Sequence, residues 1–128
     1  MKNTGLIFGA AFGFLGVALG AFGAHGLEDL LVANGREATW ETAVLYQFVH
    51  AGLLLLLGIL DHLHSSTKLI RISIWTTIVG ILIFSGSLYA LSLTNIKWLG
   101  AITPLGGLSF LVAWTLLFIF SLRIKKNQ

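Results

Sequence analysis

The sequence predicts an all-α integral membrane four-helix bundle with its N and C termini cytoplasmic. Three observations carry that expectation: four long uncharged apolar runs, too few charges for a water-exposed surface, and a one-sided distribution of lysine and arginine. Of 128 residues, 56% are hydrophobic and 10% charged, and the mean hydropathy is +0.91. A soluble domain carries about 25% charged residues because its folded surface needs them. A domain this short also leaves roughly a third of its chain surface exposed. These residues could cover that surface only if the solvent were lipid.

Charges divide the chain into its spans. The run after Lys2 is uncharged until Glu28 and apolar from Gly5 to Ala24; 19 uncharged residues separate Glu41 from Asp61, 25 separate Arg71 from Lys97, and 25 more separate Lys97 from Arg123. About 20 residues of helix cross a hydrocarbon core of about 30 Å, so each run suffices. The alternating segments of about ten residues that build a barrel are absent. The expected helices are about 4–25, 38–60, 70–93 and 98–122 in a single domain, 1–128. Leu27, Leu30 and Leu31 beside Glu28 and Asp29 predict a short interfacial helix at about 27–33 lying along the membrane, stopped by Asn34-Gly35. Lys2 and the small residues of 20–24 also fit a secretory signal peptide, but the apolar run exceeds the usual length of about 7–15 residues and is studded with glycine, which favours a retained span.

Direction follows from the basic residues. Lys2, Lys68, Arg71, Arg123, Lys125 and Lys126 fall on one side of an alternating four-span chain, and only Arg36 and Lys97 on the other. The excess places both termini and the 61–71 loop in the cytoplasm. Trp40 and Trp98 then lie at the outer interface and Trp75 near the inner one.

The first span carries Gly5, Gly9, Gly13, Gly16, Gly20 and Gly23, followed by Gly26. Each glycine costs a helix in water about 1 kcal/mol relative to alanine. In lipid the helix persists, and the glycines form a flat face that lets another backbone approach. This face predicts that helix one is the central packing post of the bundle; the alternative is a homo-oligomer seam.

Polar residues at depth are the place to look for chemistry. At about 1.5 Å per residue, His50 lies roughly 13 Å below the outer surface with Tyr46 and Gln47 nearby, Ser85 about 12 Å below it with Ser87 and Tyr89 above, and Thr103-Pro104 roughly 8–9 Å deep. Pro104 removes a backbone donor and is expected to kink helix four. Tyr46, Gln47, His50, Ser85, Tyr89 and Thr103 therefore form the candidate outer-half pocket, against the simpler expectation that they only hydrogen-bond helices together.

Other chemistry is excluded or unsupported. There is no cysteine, hence no disulfide or thiolate chemistry. The basic residues flank apolar runs, so nucleic acid is not an expected partner. His25 and His50 sit at different depths, and His62-x-His64 beside Asp61 reads as a solvated loop, so neither a metal site nor a cofactor is expected. No carboxylate is expected inside a span, which argues against a pump. The expected partners are membrane lipid and a homo-oligomer or larger membrane complex.

Four segments add a family likeness: Gly20 to Leu27 (Gly-Ala-Phe-Gly-Ala-His-Gly-Leu), Trp40 to Val44 with Tyr46, Gln47 and His50, Phe84 to Tyr89, and Gly100 to Gly107. Together they resemble domain-of-unknown-function family 423, the small YgdD/YwdK-like bacterial membrane proteins, whose pattern eukaryotic mitochondrial relatives share. The resemblance spans essentially the whole chain. It implies a four-span protein of the bacterial inner (plasma) membrane and brings no catalytic or binding residues. The functional expectation is a non-enzymatic protein that packs with membrane partners or binds a lipid-like molecule in its outer half. The alternatives are a small oligomeric transporter or channel component and a histidine-dependent redox or metal-binding subunit.

Overall fold

Four apolar helical spans account for almost the whole molecule in the computed structural model, which describes residues 3–65 and 67–126. Lys2, counted above as a topology charge, and Ser66 of the 61–71 segment lie outside the described residues. The first span is α1, Thr4–Ala24, followed by the short α2, Glu28–Asn34; the second span is α3, Glu37–Leu63. The third comprises α4, Lys68–Gly80, a π-helical turn, Ile81–Ser85, and α5, Gly86–Thr94. A 3₁₀ turn, Lys97–Ala101, leads into α6, Thr103–Lys126, the fourth. All four spans are long and apolar enough to cross a membrane.

The spans form a row in which α1 packs against α3, α3 against the third span, and the third span against α6. Helix one is therefore not the central post. In its most apolar stretch 22% of α1 is buried, against 44% for α3. The glycine face engages one neighbour closely, while Phe14, Val17 and Phe22 on its other sides are exposed.

That engagement is a backbone-to-backbone seam. A Cβ on Gly5 would stand 2.8 Å from the Leu54 carbonyl oxygen and 2.9 Å from the Gly58 Cα, and one on Gly58 would stand 2.8 Å from the Leu6 nitrogen. Further along, Gly9 faces Leu55, Gly16 the Phe48 ring, Gly20 Val44 and Gly23 the Trp40 indole. Gly13 is the exception among the expected packing glycines, with nothing within 4 Å. At about 100° per residue it stands roughly 80° around the helix from Gly5, at the margin of the stripe. Phe12 takes its place against the core.

A second seam, between α4 and α6, is built from other small residues. Ser73 Oγ donates to the Ala113 carbonyl at 2.9 Å and Ser109 Oγ to the Thr76 carbonyl at 2.6 Å. Gly80 meets the Phe110 ring, and Gly106 lies against the Phe84 backbone. The third span was expected to be uninterrupted; the π turn occurs where Phe84 and Gly106 touch, and its hydrogen bonds skip five residues instead of four.

Three local expectations change. Pro104 does not kink a continuous helix: it is the second residue of α6, where no intrahelical bond requires its missing N–H. α2 does more than lie along the membrane, because Leu31 is buried and Asn34 Nδ2 donates to the Ser92 carbonyl at 2.9 Å, closing the helix over α5. Gly35 takes the left-handed conformation (φ 63°) that ends α2. Finally, α3 extends past 60, so Asp61 and His62 belong to its last turn rather than to a solvated loop. His62 Nδ1 lies 3.0 Å from the Gly58 carbonyl and His64 Nδ1 3.3 Å from the Leu60 carbonyl, each ring turned back onto the last turns of its own helix.

Candidate functional site

Five of the six polar residues singled out from the sequence make side-chain hydrogen bonds that run between helices, and the sixth, Tyr46, packs by ring stacking. Gln47, 3% exposed on α3, donates from Nε2 to the Phe12 carbonyl of α1 at 2.8 Å. Its Oε1 accepts the Tyr89 hydroxyl of α5 at 2.6 Å. One side chain thus joins three helices. The Tyr89 ring also meets the Trp40 indole edge-on at 4.7 Å, and that indole donates to the Leu19 carbonyl at 2.9 Å.

His50 is held as firmly. Its Nδ1 lies 2.7 Å from the Tyr46 carbonyl, and its Nε2 lies 3.1 Å from the Trp114 indole nitrogen of α6. A carbonyl can only accept and an indole N–H can only donate. The imidazole therefore carries its hydrogen on Nδ1, and its remaining lone pair is engaged by Trp114. It stacks on Phe110, with centroids 3.5 Å apart. Such a ring is a neutral packing element rather than an open ligand.

The other members pair separately. Ser85 Oγ donates to the Ala43 carbonyl at 2.8 Å, and Thr103 Oγ1 meets Ser87 Oγ at 2.6 Å. Tyr46 stacks on Phe84 at 4.5 Å. The structure brings Gln47 together with Tyr89, and Tyr46 with His50; Ser85 and Thr103 bond to other partners. None of the six lines either of two cavities that open near opposite ends of the bundle.

One, of about 580 Å³, opens between α1, α2 and α3 at the end bearing the α2 and Asn95 turns. Gly20, Val44, Leu45 and Phe48 give it an apolar floor, while Glu28, Glu37 and Glu41 bring three carboxylates to the same groove. Two signals in the sequence point to it: Glu37 and Glu41 are one helical turn apart and share a face, and Gly20 leaves room that a side chain would fill. A second cavity of about 550 Å³ lies at the end bearing the termini, among α3, α4 and α6.

Asp61 was expected outside the spans. It lies in the last turn of α3, 3% exposed, and its Oδ1 has no hydrogen-bond partner. Burying a polar atom unpaired is costly. Among the described residues no group of three or more His, Cys, Asp or Glu side chains is placed to hold a metal ion.

Four apolar spans joined by hydrogen bonds between helices define a multi-pass membrane protein. The chain belongs to the family described as "Protein of unknown function (DUF423)", which matches residues 19–107. It is 43% identical to a UPF0382 membrane protein of Staphylococcus epidermidis, over 92% of this chain and 94% of the relative. It is 42% identical to the UPF0382 membrane protein YwdK of Bacillus subtilis, over 92% and 95%. It is 40% identical to the UPF0382 inner membrane protein YgdD of Escherichia coli K12, over 95% and 92%. No solved structure matches it.

The Gln47–Tyr89 pair yields a direct prediction. In a double-mutant cycle with Gln47→Leu and Tyr89→Phe, unfolding in mixed micelles should give a coupling of about 0.6 kcal/mol and no more than about 1.7. Zero coupling would mean that the two side chains do not meet.

Proposed function

We propose that this protein is a non-enzymatic membrane bundle that holds a lipid-like molecule in the groove between α1, α2 and α3, with its termini in the cytoplasm and the groove in the outer half. One observation carries the proposal: a groove of about 580 Å³ that combines an apolar floor with three carboxylates. Ligand sites typically occupy about 300–1,000 Å³ and join an apolar lining to a few placed polar groups. The charge count supports the orientation, since six of the eight basic residues belong to the termini side of the four-span chain. The proposed groove differs from the site expected from the sequence. It stays in the same half of the bundle but moves from the hydrogen-bonded His50 layer to the open side of α1.

Photo-crosslinking provides the test. A phospholipid with a diazirine in its acyl chain should label the α3 segment containing Leu45 and Phe48 preferentially, and Gly20→Phe, which fills the floor, should remove most of that label. Even labelling of every lipid-facing helix, unchanged by Gly20→Phe, would contradict the proposal.

Asp61 favours a second role, as part of a small oligomeric transporter. A carboxylate buried in a span with an unpaired oxygen is the kind of group that cation- or proton-coupled transport uses. In proteoliposomes, that role predicts a proton or sodium flux abolished by Asp61→Asn. Absence of flux from the wild-type protein would set it aside.

A further inference from the structure

At the termini end, α3 stops at Leu63, α4 starts at Lys68, and the last turns of α6 stand beside the connection. The cavity of about 550 Å³ between them has a lining of two kinds. His64, Thr67, Lys68 and Arg123 bring donors or positive charge, while Leu69 and Phe120 are apolar. None of the residues lining it is an aspartate or glutamate. Lys68 and Arg123 come from different spans, so the cavity is bounded by cations on two sides. Arg123 follows Phe120 by three residues and shares its helix face. The Phe120 ring meets His64 edge-on at 5.4 Å, closing the wall between α3 and α6.

We infer that this cleft binds the phosphate-bearing headgroup of an anionic phospholipid from the surrounding bilayer. The charge is complementary: guanidinium and ammonium groups are the side chains that recognise phosphate, the former by two parallel N–H···O bonds. The apolar part of the lining favours a lipid over a free anion, because Leu69 and Phe120 join the cleft to the apolar core at the end of three membrane spans, at the level of the headgroups. The opposite groove has the reverse character, with three carboxylates and no lysine or arginine in its lining. The two ends of the bundle thus present opposite charges to the two membrane surfaces. The inference is independent of what occupies that other groove.

Native mass spectrometry of the delipidated, detergent-solubilised full chain tests it, with phosphatidylglycerol and phosphatidylcholine of matched acyl chains as probes. Each basic residue near an anionic lipid surface strengthens attraction about five-fold, so two should favour phosphatidylglycerol about 30-fold. Lys68→Gln with Arg123→Gln should bring the two lipids within about two-fold of each other. Arg36→Gln with Lys97→Gln, at the other end, should leave the preference intact. Should the cleft variant fail to fold, the wild type still decides: 0.5 M salt should erode the preference, as screening demands. Equal binding of both lipids by the wild type would overturn the inference. So would a preference that survives both cleft substitutions, or one that inorganic phosphate abolishes at millimolar concentration, which would mark a site for the free anion.

Discussion

The close approach of α1 to α3 is the contact on which the rest of the arrangement depends. It is possible only because Gly5 faces Gly58, so that the two backbones meet without a side chain between them. Lipid tails are as apolar as leucine, and helices gain nothing by hiding leucine from them; close packing and hydrogen bonds must hold the bundle. With α1 drawn against α3, the Phe12 carbonyl comes within reach of Gln47 and the Leu19 carbonyl within reach of Trp40. Gln47 then presents its remaining oxygen to Tyr89. The polar layer is therefore a consequence of the glycine seam, and it carries the register of α1 through α3 to α5.

α6 is fixed by the same means on the far side. Ser73, Ser109 and Ala113 bring α4 and α6 together, and Trp114 reaches His50 of α3. The histidine is the counterpart of Gln47: one buried side chain serving two neighbours, its tautomer set by an acceptor on one side and a donor on the other. The two larger cavities open near opposite ends of the bundle, as an acidic groove near the α2 turn and a basic cleft near the termini.

Much of this was legible before any coordinates. Span number and helical character follow from the lengths of the apolar runs, and the glycine face from spacing alone. The glycine pattern could identify a face but not its place in the row, since a flat stripe serves an outer helix as well as a central one. Gly13 shows the limit of the period: its spacing belongs to the stripe, while its angle puts it at the margin. Pro104 breaks a helix only if the helix already exists there, and the preceding 3₁₀ turn makes it a starter. A charge marks the end of an apolar run and so points to a loop at Asp61, yet burial of a helix end is set by neighbours that no local pattern reveals. The depths of Tyr46, Gln47, His50, Ser85, Tyr89 and Thr103 were readable, but whether such residues face a space or one another depends on rotation about each helix axis. Ser73 and Ser109 carried a small-residue signal that the more conspicuous glycines obscured.

The most direct measurement concerns the glycine seam, and the absence of native cysteine makes it unambiguous. A Cβ at Gly20 would stand 3.5 Å from Cγ1 of Val44. The variant Gly20→Cys/Val44→Cys, oxidised in native membranes, should form a disulfide within one chain, migrating as a monomer with both thiols blocked to alkylation. Cross-linked dimers formed by Gly20→Cys alone, or two thiols that stay free, would contradict an α1 face committed to α3.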